Sequence, residues 1–132
     1  MKSCTSGRPL EHAWFEKAEQ DLEMARRAMP PGNPFPPRTC YHAQQCAEKY
    51  LKGFLVSRSH RFNFVHDLFY LTQECTQHQP AFSELELTAE TLGRYGAGVR
   101  YPMEDFVDPD EEEAWEAVRL AGEVATFVKS QL

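Results

Sequence analysis

The clearest pattern of apolar and polar residues lies in residues 40–56 and predicts an α-helix. At about 100° per residue, the apolar positions of this segment fall on one side, and several of them are small. They are Cys40, Ala43, Ala47, Tyr50, Leu51 and Phe54. Because small residues let neighbouring helices approach closely, we expect this segment to be the central helix of a bundle.

The other side of the central helix is polar. It carries His42, Gln45, Lys49 and Lys52, with Gln44 and Glu48 along its border. The simplest interpretation is a solvated surface, on which Glu48 and Lys52 form an exposed pair worth a few tenths of a kcal/mol. The alternative is a binding site, because two amides and two lysines are crowded beside a histidine. The spacing alone leaves both interpretations open.

Helical patterns also lie on both sides of the central helix. The first predicts a helix from about residue 10 to residue 29, and the prolines of residues 30–37 predict a stiff connector without a helix. After the central helix, Asp67 is expected to start a short helix that ends near residue 77. A carboxylate at that position interacts well with the exposed amides of a helix start.

Two more helices are predicted in the second half of the chain. The sequence SELE at residues 83–86 matches a capping box, which predicts a helix that starts at Ser83 and weakens from Gly93 onward. Asp108 or Asp110 is expected to start the last helix. That helix carries three glutamates in its first turn and continues almost to the last residue.

The patterns together predict an all-α fold, an up-and-down helical bundle of four to five helices, because no segment alternates like a strand. We expect residues 1–9 to be a disordered or tag-like leader and residues 10–132 to form a single domain. No apolar run approaches the length of a membrane span, and the N-terminus lacks the apolar core of a secretory signal. We therefore expect a cytoplasmic protein without a membrane partner.

The composition is that of an ordinary globular domain, with 42% hydrophobic and 26% charged residues among 132. The net charge of −6 argues against generic nucleic-acid binding. The charge is uneven, however. Between residues 38 and 66 there are five Lys or Arg and one acid, whereas residues 104–116 contain eight acids and no base. This asymmetry allows a local anion site on an acidic protein.

The four cysteines show neither metal-finger nor CxxC spacing. Cys40 and Cys46 cannot pair within one straight helix, because six residues place them on different faces, about 9 Å apart. We therefore expect free thiols in a reducing compartment, no metal ligands and no cofactor.

Three short motifs, in this order and spacing, resemble the HEPN domain family, named for a nucleotide-binding domain of higher eukaryotes and prokaryotes. They are YHAQQCAEKYLK at residues 41–52, HDL at residues 66–68 and RYP at residues 100–102. Trp14 and Asp21 in the first helix fit the family as well. The resemblance covers about residues 10–132. It implies a helical bundle that is frequently a homodimer and often encoded beside a small nucleotidyltransferase.

The resemblance to the ribonuclease members of the family is incomplete. Those members carry an arginine, four to six further residues and then a histidine late in the bundle, but no histidine follows Arg94 or Arg100. Arg61 and His66 have this spacing, but they precede or begin the HDL motif and lie outside the family's catalytic position. Metal-independent RNA cleavage needs an imidazole that moves a proton and a cation that stabilises the anion. The sequence therefore favours a non-enzyme, with Arg61 on a connector and His66 at the opening of the third helix.

These observations lead to three hypotheses. The first is a HEPN-type module that binds a nucleotide or another phosphate-bearing ligand without catalysis, as a homodimer. The ligand-binding residues implied by the resemblance are Gln44, Lys49, Lys52, His66, Arg100 and Tyr101. Structural roles for Gln44, as a bridge to a neighbouring helix, and for His66, as a helix-start residue, remain open alternatives. The second hypothesis is a protein partner of a small nucleotidyltransferase in a toxin–antitoxin-like pair. The third is a metal-independent ribonuclease that acts on RNA.

Overall fold

The structure is a computed structural model that describes residues 10–62, 66–96 and 107–132. The described residues form α-helices and one 3-10 helix, without a strand. The elements are α1 (Leu10–Arg27), α2 (Pro36–Ser57), α3 (Leu68–Thr76), the 3-10 helix (Pro80–Leu85), α4 (Glu86–Gly93) and α5 (Glu111–Ser130). The predicted all-α helical fold is confirmed.

The central helix is α2, which packs against α1, α3, α4 and α5. Every position on its predicted apolar side is buried. At Gly53 the backbone of α2 approaches α1 so closely that an added Cβ would lie 2.4 Å from a ring carbon of Phe15. A side chain at residue 53 would therefore have to displace the ring of Phe15, which stacks on Tyr50.

The start of α2 differs from the prediction. The helix-free connector was expected to extend through residue 37, but Pro36 and Pro37 already belong to the first turn of α2. Proline suits that position, because the first N–H groups of a helix have no partner within the helix. The expectation was therefore wrong for the last two residues of the connector.

Much of the polar side of α2 is buried, so the solvated-surface interpretation is wrong for its central part. Gln44, Glu48 and Lys52 are only 2%, 3% and 4% exposed. Lys52 was expected to point into solvent. Instead, its ammonium group lies 5.8 Å from the ring centroid of Trp14 in α1 and 5.5 Å from that of Phe62, which follows α2. These two aromatic residues shield Lys52 from water.

Two of the predicted helix starts are confirmed. The Asp67 carboxylate accepts hydrogen bonds from the backbone N–H groups of Phe69 and Tyr70, at 2.9 and 3.3 Å. Asp110 forms a reciprocal capping box with Glu113 at the start of α5. Both carboxylates also interact favourably with the positive end of the helix dipole.

The predicted helix start at Ser83 is wrong. Ser83 lies inside the 3-10 helix, and α4 begins only at Glu86, after Leu85 and without a side-chain cap. The reason is the burial of Phe82, whose ring packs against Phe54 of α2 and Phe127 of α5. Burying a phenylalanine side chain is worth about 1.5–3 kcal/mol, which exceeds the roughly 1 kcal/mol gained from a helix cap.

The remaining expectations concern thiols and membranes. Cys40, Cys46 and Cys75 are buried free thiols, as expected, and Cys4 lies outside the described residues. Burial raises the pKa of Cys40 to about 12, with a further contribution from Glu113, so this thiol stays protonated. None of the helices in the described part of the chain is both long and apolar enough to cross a membrane.

Candidate functional site

Four polar side chains of α2 and one residue beyond it form a connected group around Glu48. We call this group the Glu48 cluster: Gln44, Gln45, Glu48, Lys52 and His66. Residues 44, 48 and 52 are four apart and therefore lie on one face of the helix. His66 reaches this face because the chain turns back after α2 and places it just before the start of α3.

The Glu48 carboxylate lies at the centre of the cluster. Its Oε2 accepts a hydrogen bond from Lys52 Nζ at 2.9 Å and lies 2.8 Å from Nδ1 of His66. Its Oε1 lies 3.4 Å from the amide nitrogens of both Gln44 and Gln45. A buried carboxylate needs such partners, because burial without them costs several kcal/mol.

The two glutamines connect Glu48 to its surroundings. Gln45 donates a hydrogen bond to the side-chain oxygen of Gln44 at 2.8 Å. Gln44 in turn donates to the backbone carbonyl of His66 at 3.4 Å. The cluster therefore attaches the segment before α3 to the middle of α2.

His66 is the exposed member of the Glu48 cluster. Its side chain is 74% exposed, whereas those of Glu48 and Lys52 are each 5% exposed. Because Nδ1 faces the acceptor oxygen of Glu48, the proton on this side of the ring lies on Nδ1. The second ring nitrogen, Nε2, has no partner among the described residues. The cluster thus presents one oriented imidazole at the surface.

A second charged group lies between α1 and α2. Asp21, which is only 7% exposed, lies 2.9 Å from Nδ1 of His42 and 2.5 Å from Nζ of Lys49. Burial alone would raise the pKa of Asp21. Hydrogen bonds and charge interactions with His42 and Lys49 outweigh this effect and lower the pKa below its ordinary value of 3.8. Asp21 therefore stays ionised and holds α1 against α2.

The structure places the predicted binding residues in two groups. Gln44, Lys52 and His66 belong to the Glu48 cluster, whereas Lys49 pairs with Asp21. Arg100 and Tyr101 lie outside the described residues, so their position relative to either group is not described.

The predicted set of binding residues did not include three residues that organise these groups: Asp21, His42 and Glu48. A signal for Glu48 existed, because it lies midway between Gln44 and Lys52 at helical spacing. Asp21 also stood in the motif of the first helix, but nothing in the sequence paired it with His42 and Lys49.

Surface clefts among the described residues include three that lie away from the Glu48 cluster. The first, with a volume of about 660 Å³, lies between α4 and α5 and includes Arg94, Tyr95 and Trp115 in its lining. The second, of about 590 Å³, includes Phe15 and Tyr50, and the third, of about 490 Å³, runs along α1. None of these three clefts is lined by a predicted binding residue.

Arg61 and His66 have the arginine–histidine spacing of the ribonuclease members. Arg61 is exposed and lies on the segment that follows α2. Among the described residues it has no hydrogen-bond or ion-pair partner. A catalytic arginine has to be held in place by its neighbours, because an unrestrained long side chain loses much conformational entropy when it is ordered. The described geometry therefore gives no support to a preformed catalytic pair.

Comparisons with known proteins point to one family. A family model described as "HEPN domain" matches residues 12–131. Among solved structures, TT1696 from Thermus thermophilus is similar over 95% of this chain and 100% of its own, with 27% identity and a TM-score of 0.82. The archaeal HEPN homologue ST0689 is similar over 92% of this chain and 96% of its own, with 26% identity and a TM-score of 0.72. No curated protein sequence matches the chain.

Proposed function

Because the chain belongs to the HEPN domain family, we propose that it is a helical module that binds a nucleotide or another phosphate-bearing ligand without catalysis, as a homodimer. The observation that carries this proposal is the imidazole of His66. It is the exposed end of a polar network in which Gln44, Glu48 and Lys52 are buried, and it is held in one orientation by Glu48. A side chain fixed in this way loses little entropy when it binds a ligand.

The chemistry of the Glu48 cluster suits an anion. When His66 is protonated, Nδ1 donates to Glu48 and Nε2 donates outward, where a phosphate oxygen can accept the hydrogen bond. The negative charge of Glu48 is offset by Lys52 at 2.9 Å, so the buried carboxylate does not by itself repel an approaching anion.

The other predicted residues take different roles in this proposal. Gln44 and Lys52 are buried and position His66 through Glu48. We propose that Lys49, whose side chain is 27% exposed, contacts the ligand while it stays paired with Asp21. We propose that Arg100 contacts phosphate and that Tyr101 stacks on a base; both residues lie outside the described part of the chain.

The test of this function is a calorimetric titration with ATP and GTP. We expect saturable binding by the wild-type chain and a roughly 10- to 100-fold weaker affinity for His66→Ala, because a hydrogen bond to a charged group is worth about 1.5–3 kcal/mol. His12→Ala is the matched control, since His12 is an exposed histidine on α1, far from the Glu48 cluster in the sequence. No saturable heat from folded wild-type protein at millimolar nucleotide would refute the proposal.

A second candidate function is docking to a basic protein partner, such as a small nucleotidyltransferase. It is favoured by the acidic residues around the start of α5: Asp108, Asp110, Glu111, Glu112, Glu113 and Glu116 are all exposed. Complementary charge of this kind speeds association and selects partners. Co-expression with the product of the neighbouring gene, followed by size-exclusion chromatography, tests it. Co-elution supports docking, and independent elution of the two proteins contradicts it.

A further inference from the structure

A second histidine group lies where α2 and α3 end, and the proposed function does not use it. We call it the His60–His78 cluster: His60, His78 and Glu74. Nδ1 of His60 lies 2.6 Å from Nε2 of His78, and Nε2 of His60 lies 2.7 Å from Oε1 of Glu74. The side chains of His60 and Glu74 are 15% and 17% exposed, and His78 lies at the surface.

The hydrogen bond to Glu74 determines which nitrogen of His60 can bind a ligand. An ionised carboxylate only accepts hydrogen bonds, so Nε2 of His60 carries the proton and Nδ1 of the neutral ring has a lone pair. That lone pair faces His78. Glu74 is itself held by Gln77, whose amide donates to Oε2 at 3.0 Å. Histidines that bind metals usually donate their other ring N–H to a carboxylate in this way.

The backbone fixes His60 and His78 at two helix C-termini. Ser59 has a positive φ of 56°, and the N–H groups of Ser59 and His60 bond to the carbonyls of Val56 and Leu55, which is a Schellman ending of α2. The N–H of His78 bonds to the carbonyl of Cys75 at the end of α3. Both helix dipoles therefore present their negative ends near the cluster, which favours a cation.

We propose that Nδ1 of His60 and Nε2 of His78 bind one divalent first-row transition metal ion, such as Zn²⁺, Ni²⁺ or Cu²⁺, and that Glu74 orients His60. Within the described residues no group of three or more His, Cys, Asp or Glu side chains could hold a metal ion, so water completes the coordination. His78 binds as the neutral tautomer that carries its proton on Nδ1. Metal binding then needs only a proton shift within this ring.

The geometry requires a small movement. Zn–N bonds are about 2.0–2.1 Å long, so two nitrogens at a tetrahedral metal ion lie about 3.3 Å apart, which is about 0.7 Å more than here. The surface position of His78 allows that movement. Arg61, which directly follows His60, is the nearest cation in the sequence. Arg58, two residues before His60, has its guanidinium over the ring of Phe54 and donates to the carbonyl of Gln131. Two protein ligands and this positive charge lead us to expect micromolar affinity.

The test uses the full chain without a polyhistidine tag, titrated calorimetrically with ZnCl₂, NiCl₂, CuCl₂ and MgCl₂. We expect one site per chain, tightest for Cu²⁺, and no binding of Mg²⁺, which prefers oxygen ligands. His60→Gln and His78→Gln should each weaken binding at least tenfold, and Glu74→Gln by about 10- to 100-fold. His12→Gln, which leaves the cluster intact, should bind like wild type.

Circular dichroism of each variant confirms that the helices are retained, and His78→Gln is the safest variant because His78 is exposed. Loss of binding in His60→Gln and His78→Gln, with retention in His12→Gln, supports the site. The proposal is overturned if none of the three transition metals binds with saturation, or if binding is unchanged in both His60→Gln and His78→Gln.

Discussion

Replacing Glu48 with leucine is expected to destabilise the protein by about 3–5 kcal/mol, which is the cost of breaking a buried ion pair by removing one partner. The substitution leaves the ammonium group of Lys52 unpaired between the rings of Trp14 and Phe62, where water does not reach it. It also removes the carboxylate that orients His66. Urea unfolding at neutral pH, followed by circular dichroism, measures the loss.

Two controls separate this effect from an ordinary surface substitution. In the double variant that combines Glu48→Leu with Lys52→Met, no unpaired charge of this pair remains. We therefore expect most of the lost stability to return. Glu23→Leu breaks an exposed pair with Arg27 at the same spacing and should change stability by less than about 1 kcal/mol. If Glu48→Leu were as mild as Glu23→Leu, the Glu48–Lys52 pair would be hydrated and the description of the cluster as buried would be wrong.

Asp21→Asn is expected to lower the free energy of unfolding by about 2–3 kcal/mol at neutral pH. The substitution removes a buried carboxylate that bonds to two cationic or polar partners, and hydrogen bonds to charged groups are worth about 1.5–3 kcal/mol. His42 and Lys49 would then face a neutral amide across the interface between α1 and α2. Thermal unfolding of both proteins from neutral pH down to the acid range measures the difference.

The difference in stability between wild type and Asp21→Asn is expected to depend on pH, and its sign follows from the lowered pKa of Asp21. A carboxyl group with a lowered pKa in the folded state adds stability above its ordinary pKa of 3.8 and loses it as the pH falls through the folded value. The advantage of wild type over Asp21→Asn should therefore shrink as the pH falls below 3.8. An advantage that persists unchanged into strong acid would contradict the assignment. Glu116→Gln, in an exposed pair with Arg119, is the control and should show little effect.

The helices were predictable because their signals are local. The apolar positions of α2 repeat at helical spacing, and Asp67 and Asp110 carry the side-chain chemistry of helix starts. Ser83 has the same local chemistry, but the helix start predicted there was wrong. There the decisive interaction is the packing of Phe82 against Phe54 and Phe127, which are distant in sequence.

The candidate site was only partly predictable. The sequence suggested that Gln44, Lys52 and His66 act together, but it placed Lys52 in solvent, because helical spacing shows which residues share a face and not what covers that face. Burial of Lys52 depends on Trp14 and Phe62, which come from two other parts of the chain. The pairing of Asp21 with Lys49 is equally non-local, since 28 residues separate them.

In the proposed function, the Glu48 cluster offers an oriented imidazole to an anion on a protein with a net charge of −6. Its charged members are paired below the surface, so only His66 reaches a ligand. The His60–His78 cluster lies where α2 and α3 end. Its surroundings favour a cation, because they include Glu74 and two helix C-termini. The two proposals therefore concern opposite charges and separate side chains, and each can fail without the other.

The most direct measurement of the central claim is the titration of ATP into the protein while the ring signals of its five histidines are observed by NMR. If a phosphate-bearing ligand binds at the imidazole that Glu48 orients, the ring signals of His66 shift with saturation, while those of His12, His60 and His78 stay in place. If ATP leaves the His66 signals unmoved, or shifts only those of other histidines, the claim is contradicted.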